Sequence, residues 1–247
     1  LRREVLSVMS PFLGTETGNP SSLHKEGVRV KAAIDKVREI VARGVNAHSD
    51  EIIFTSGGTE SNSLALSGIF TQLRDSGKDP KEMHMITSVI EHPSVLESFR
   101  YFEKLGVTVT HLPVTEEGMF DPTVFRNALR KETVLVSLMN VNNEIGTLQP
   151  LAEIGKVILK FRKEHQTPFP YFHTDASQGI LFIEVDVEKL HVDLLSLDAQ
   201  KIYGPQGVGA LFVRRDVSIT PLYHGGSQEK GLRPGTQKVA GVVGFGE

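Results

Sequence analysis

The chain has 247 residues, 39% of them hydrophobic and 23% charged, which suits one large globular domain, or a domain plus part of another, with a sizeable core. A formal net charge of -3 offers no basic field for nucleic acid, and neither a membrane-length apolar run nor a leader-like segment occurs, so a soluble cytoplasmic enzyme is expected. Cysteine is absent, which excludes disulfides, thiolate metal sites and a cysteine nucleophile within these residues.

In chain order, residues 3–13 read as a short helix and residues 14–22 as a Gly/Asn/Pro/Ser loop. Residues 28–41 carry Val30, Ile34, Val37 and Val41 at helical spacing, so a surface helix with one buried stripe is predicted. A strand over 51–55 runs into Ser56-Gly57-Gly58-Thr59-Glu60, and a helix follows to about Phe70. Further strands are predicted at 84–87, 107–109, 134–138, 171–174, 194–197 and 207–213, with helices near 94–105, 122–129 and 151–164. Strands separated by helix-length crossovers predict an α/β fold, a mostly parallel sheet with helices on both faces. The chain opens on Leu1 rather than Met and closes at Glu247 without a capping or polar tail, so a piece of a longer protein is expected.

Ligands of such sheets collect where strands end and helices begin, so the segments after strands are the candidates. Ser56-Gly57-Gly58-Thr59-Glu60 combines close backbone approach with a helix N-terminus and a Thr hydroxyl; it is either a phosphate cradle or a plain strand-to-helix turn. Glu91-His92-Pro93-Ser94 offers a histidine for stacking or proton transfer, or merely a structural one. Asn140-Val141-Asn142-Asn143 offers amides for a ligand hydroxyl, or turn formers. Asp175, in His173-Thr174-Asp175-Ala176-Ser177-Gln178, is an acid that needs a partner at a strand end, or a helix cap. Lys201 follows a strand and precedes a Gly/Pro turn, a position suited to a Schiff-base lysine, although most lysines are solvated. The glycine-rich stretch 225–236 carries Lys230 and Arg233 and reads as a second anion loop or as a mobile surface loop.

Each segment is weak singly. Their order and shared position fit one cofactor with a phosphate, a ring nitrogen, a ring hydroxyl and an aldehyde. The stretches Gly18-Asn19-Pro20-Ser21-Ser22-Leu23-His24, "DEIIFTSGGTESN", "EHPSV", "NVNNEIGTLQP", "HTDASQ", "KIYGPQGVGALFVRR" and "GGSQEKGLRPGT" span nearly the whole chain. In that order they resemble the cysteine desulfurases, of the class V aminotransferase-like group of fold-type I pyridoxal 5'-phosphate (PLP) enzymes, which also contains selenocysteine lyases.

The resemblance implies a PLP-binding large domain over residues 19–247, with residues 1–18 as an N-terminal helix and connection and a C-terminal small domain absent. It implies that Gly58 and Thr59 bind the cofactor phosphate and that His92 stacks on the ring and moves protons. Asn143 and Gln178 would contact the ring hydroxyl side, Asp175 would pair with the ring nitrogen, and Lys201 would carry the aldehyde carbon. Gln200 would still donate a hydrogen bond at the phosphate. Thr236 would reach the phosphate in the other subunit of a homodimer. The implied reaction converts L-cysteine to L-alanine and passes sulfur, as a persulfide, to a sulfur-acceptor protein for iron–sulfur clusters or thiolated tRNA.

The chain departs from the family pattern at five points. The nucleophilic cysteine, a substrate-carboxylate arginine and the opening strand are missing, and Lys230 replaces a usual arginine. The fifth is the approach to the lysine, Asp198-Ala199-Gln200 where the family has Ser-x-His; an ionised Asp198 either points away or weakens phosphate binding. Selenocysteine lyase and a noncatalytic scaffold for a sulfur-transfer partner are the alternative functions. The 247 residues alone, having no thiol, are expected to form no persulfide.

Overall fold

The computed structural model describes all 247 residues. Helices α1 (Arg3–Leu13) and α2 (Lys25–Gly44) lead to β1 (Ile52–Thr55) and α3 (Gly58–Asp75). Then follow β2 (His84–Ser88), α4 (Pro93–Lys104), β3 (Thr108–Leu112), α5 (Pro122–Ala128), β4 (Thr133–Ser137), α6 (Leu151–His165) and β5 (Tyr171–Asp175). The chain closes with α7 (Val187–Leu190), β6 (Leu194–Asp198), β7 (Gly209–Val213) and α8 (Val239–Phe245).

Local chemistry explains several boundaries. Asp121 accepts hydrogen bonds from the Thr123 and Val124 amides while Pro122 takes the first position of α5, where no amide proton is needed. Pro93 does the same for α4, with His92 as its cap. α6 carries Arg162 and Lys163 in its last turn, cations suited to the negative end of a helix.

The strands form one seven-stranded sheet in the order β1-β7-β6-β5-β4-β2-β3. All neighbouring pairs are parallel except those of β7, which runs against both β6 and β1. The mostly parallel sheet covered on both faces is therefore as expected, with β7 as the exception. β6 and β7 are joined by a short stretch with no crossover helix, which permits only an antiparallel pair.

Successive strand residues point to opposite faces, and each face has its own core. On one side Ile53, Met85, Leu135, Leu194 and Leu211 pack under Leu66, Ile69 and Phe70 of α3 and Phe99 and Phe102 of α4. On the other, Ile52, Phe54, Ile86, Val136, Leu195 and Phe212 meet Ile34 and Val37 of α2, Ile154 and Ile158 of α6, and Phe245 of α8. Because both faces are covered, β2, β4, β6 and β7 are buried at every residue, around apolar cores such as Met85-Ile86 and Val134-Leu135-Val136. No helix is long and apolar enough to cross a membrane.

This topology puts the C-terminal ends of β1, β2, β4, β5 and β6 along one edge of the sheet. Gly209 opens β7 between Thr55 and Asp198, its partners in register. A Cβ there would lie 2.5 Å from the Leu197 carbonyl oxygen and 2.7 Å from Gly57 Cα, so only glycine lets the turn after β1 lie against the end of β6.

Candidate active site

The segments that follow these strands line one cleft. Its walls are Gly58, Thr59, Asn62, His92, Ser94, Met139, Val141, Asn143, Asp175, Ser177, Gln178, Asp198, Gln200 and Lys201, and only Met139 and Val141 are apolar. Gly58, Thr59, His92, Asn143, Asp175, Gln178, Gln200 and Lys201, all expected at the site from sequence, are thus brought together. Thr236 is not. It lines a separate cavity with Arg233 and Lys238, beside Thr55 and Ser56.

At one end of the cleft, Gly57 adopts φ 144°, a conformation open to glycine, and starts α3 immediately after the turn. The Thr55 and Ser61 hydroxyls lie 2.7 Å apart, and Ser61 donates to the Ala210 carbonyl, which ties the turn to β7. The Gly58 amide does not face open space. It donates to Asp198 Oδ2 at 3.2 Å.

Asp198 is buried at the end of β6 and points into the cleft. Its Oδ1 accepts from the Gln200 amide at 3.1 Å, and its Oδ2 also accepts from Gln200 Nε2 at 3.2 Å. It therefore caps the turn that carries Lys201 and the first turn of α3 together. The Gln200 side chain, expected to serve a phosphate, donates to Asp198 instead. Lys201 stands exposed on the cleft wall at the end of that turn, followed by Tyr203 at φ 66°.

Asp175 ends β5. Its Oδ1 accepts from the Ser177 amide at 3.0 Å and its Oδ2 from Asn62 Nδ2 at 2.7 Å. The same Asn62 nitrogen donates to Ser94 Oγ at 2.8 Å, and Ser94 Oγ lies 2.8 Å from His92 Nδ1. His92 Nδ1 also accepts from the Ser94 amide, so a neutral ring carries its proton on Nε2. A continuous hydrogen-bond chain thus joins Asp175, Asn62, Ser94 and His92. Sequence reasoning missed Asn62 and Ser94 as site residues. The available signal was that Asn62 lies four residues after Gly58, on the same face of α3.

Two buried titratable groups sit behind these. Glu91 accepts from the Ser88 hydroxyl at 2.7 Å and the Met139 amide at 3.0 Å, and its Oε2 has no partner. Burial, helped by the negative charge of Asp175, raises its pKa to about 8, so it is a neutral acid at pH 7. His173 bridges Ser137 at 2.8 Å and Ser196 at 3.0 Å, and burial lowers it to about 4 against the pull of Asp175, so it stays neutral.

The glycine-rich stretch near 225–236 is pinned rather than loose. Glu229 is buried in a two-pronged pair with Arg38, each contact 2.7 Å, and Arg233 pairs with Glu60 at 3.0 Å. Lys230 donates to the Asp50 carbonyl.

The Aminotransferase class-V family model matches residues 1–247. The cysteine desulfurase IscS of Dictyoglomus turgidum is 50% identical over 247 residues, covering 100% of this chain and 60% of its own length. The cysteine desulfurase IscS of Methanosarcina thermophila is 47% identical over 247 residues, covering 100% of this chain and 58% of its own length. The chain therefore spans about three-fifths of the length of these relatives. Among solved structures, "SspA in complex with cysteine" superposes with a TM-score of 0.90 at 39% identity, covering 100% of this chain and 68% of that one. A "NIFS-LIKE PROTEIN" superposes with a TM-score of 0.92 at 38% identity, covering 100% of this chain and 65% of that one. Matched by the family model from its first residue to its last, and sharing the fold of these proteins, the chain belongs to the aminotransferase class-V family.

Proposed function

We propose that the protein is a PLP-dependent cysteine desulfurase that works as a homodimer, removes sulfur from L-cysteine to leave L-alanine, and delivers that sulfur to an acceptor protein. The observation that carries this reading is the cleft itself, where one lysine, a doubly anchored carboxylate and a helix N-terminus converge in a chain similar to cysteine desulfurases over its whole length.

Two features of the cleft fit a bound cofactor. Asn62 Oδ1 and Ser177 Oγ are buried there without hydrogen-bond partners, a costly state unless a ligand serves them. A Cβ on Gly58 would come within 3.1 Å of Ser177 Oγ, so the glycine keeps that space open. When bound, PLP supplies an electron sink for the bond broken at the substrate α-carbon.

The chain's own residues hold and protonate. Lys201 offers the amine that anchors the aldehyde and then holds a proton at Nζ. Asp175, fixed by Asn62 and Ser177, keeps a proton on the ring nitrogen. His92 has Nδ1 engaged by Ser94, which leaves Nε2 to stack over the ring and carry a proton. Asn143 and Gln178 serve the ring hydroxyl, Thr59 serves the phosphate, and Thr236 serves the phosphate of the second subunit.

The acceptor thiolate forms an S–S bond to the cysteine sulfur as the Cβ–S bond breaks; the electron pair of that bond stays on Cβ, which takes a proton to become the methyl group of alanine, and the acceptor is left as a persulfide. These 247 residues contain no cysteine, so the acceptor thiol lies outside them. The test is to follow alanine from L-cysteine with an added thiol in the full-length protein and its Lys201→Ala variant. Lysine-dependent alanine is expected. Equal alanine in both proteins would overturn the reading.

A further inference from the structure

We infer that Asp198 is a tethered anion in the seat of the cofactor phosphate and sets how far the cleft prefers unphosphorylated over phosphorylated ligands. The inference rests on the reading of the cleft as a PLP site. It goes beyond that reading because it concerns which form of the ligand the cleft admits.

Three observations converge on the same few ångströms. The N-terminus of α3, a helix of 18 residues, opens on the cleft, where its unpaired amides favour an anion. Ser177 Oγ lies beside it, buried and with no hydrogen-bond partner, in a residue that lines the cleft and is only 8% exposed. The carboxylate of Asp198 already fills the seat. It takes the Gly58 amide at 3.2 Å, and a Cβ on Gly58 would lie 3.3 Å from its Oδ2 and 3.1 Å from Ser177 Oγ.

The bonds that hold Asp198 all come from neutral amides, those of Gly58 and Gln200. Nothing in that set neutralises a second anion. A phosphate monoester carries about -1.5 to -2 charges near pH 7, whereas a helix N-terminus supplies only about +0.5. To use the Gly58 amide and Ser177 hydroxyl together, a phosphate must therefore displace Asp198 and break its hydrogen bonds, or accept like-charge contact. An uncharged hydroxymethyl group meets neither obstacle and can donate to the carboxylate. Asp198 thus acts as a specificity-determining residue, and as the cap of both α3 and the Lys201 turn when no phosphate is bound.

The test measures binding, not turnover. Pyridoxal and pyridoxal 5'-phosphate are titrated, by their visible absorbance on the protein, into the purified full-length protein and its Asp198→Asn and Asp198→Ser variants. Asn keeps an acceptor for the Gly58 and Gln200 amides, so it serves if the serine variant folds poorly. Removing the charge is expected to tighten pyridoxal 5'-phosphate by about tenfold or more, about 1.4 kcal/mol. Pyridoxal should change by less than about threefold. Inorganic phosphate should compete for the phosphorylated ligand more strongly in the variants than in the native protein. Equal affinity for pyridoxal 5'-phosphate in all three proteins, with the lysine-bound band present, would overturn the role of Asp198 and leave the cofactor reading standing. Absence of that band with either aldehyde in all three would overturn the cofactor reading and the inference with it.

Discussion

The Arg38–Glu229 pair ties the glycine-rich stretch to the strand that feeds the cleft, and its loss has a calculable effect. The Glu229 carboxylate takes two bonds from Arg38 at 2.7 Å each, one from the Phe54 amide at 2.9 Å and one from Gln237 Nε2 at 3.2 Å. Its side chain is 0% exposed and that of Arg38 is 15% exposed. Glu229→Gln keeps the shape and leaves Arg38 buried without a counter-charge. Breaking a buried pair in this way costs about 3–5 kcal/mol. For a chain of this length each kcal/mol moves Tm by about 2–4 °C, so a fall of about 6–20 °C is expected. Thermal melts followed by circular dichroism measure it. The double variant Arg38→Met/Glu229→Gln should recover part of the loss, because the stranded charge is gone. A single variant melting within about 2 °C of the native protein would refute the reasoning, because the pair would then carry no net stability.

Three further outcomes are expected. Glu91 has its pKa raised from 4.5 to about 8, so the native state holds its proton more tightly than the unfolded state, and stability falls as pH rises between these values. Glu91→Gln should remove that slope, so urea midpoints of the two proteins should diverge in favour of the variant up to about pH 8 and run parallel above it; parallel curves throughout would contradict the assignment. Asn62→Ala removes the donor shared by Asp175 and Ser94, and should weaken cofactor binding by about 1–3 kcal/mol, read by absorbance titration. Gly58→Ala places a Cβ against Ser177 and Asp198, so it should lower cofactor affinity while moving Tm little, and a fall in Tm alone would argue against a ligand space there.

Much of this architecture is legible in the sequence because buried parallel strands are runs of branched apolar residues. Val134, Leu135 and Val136, or Leu194 and Leu195, are such runs. Caps such as Asp121 followed by Pro122 are equally readable, since their chemistry is local. The pairing of β7 with β1 is not, because it depends on what Gly209 permits between two distant turns. α8 is hidden as well. Gly241 and Gly244 lower its intrinsic propensity, and the helix stands because α1 packs over it, with Met9 against Gly244.

The cleft shows the same division. Lys201, Asp175 and His92 can be picked out because each follows a strand and carries a reactive group. Asn62 and Ser94 escape notice because their partners lie far along the chain, and an amide inside a helix has many ordinary reasons to be there. The unusual state of Glu91 comes from complete burial, a tertiary property with no local signature. Asp198 is the mixed case: its sign is visible in the sequence, but its direction is fixed by the Gly58 and Gln200 amides.

The central claim is that Lys201 carries the cofactor. Full-length protein incubated with pyridoxal 5'-phosphate and reduced with borohydride should yield, on peptide mass spectrometry, a phosphopyridoxyl group on the peptide containing Lys201, and Lys201→Ala should lose it. Labelling confined to other lysines, or undiminished in the variant, would contradict the account.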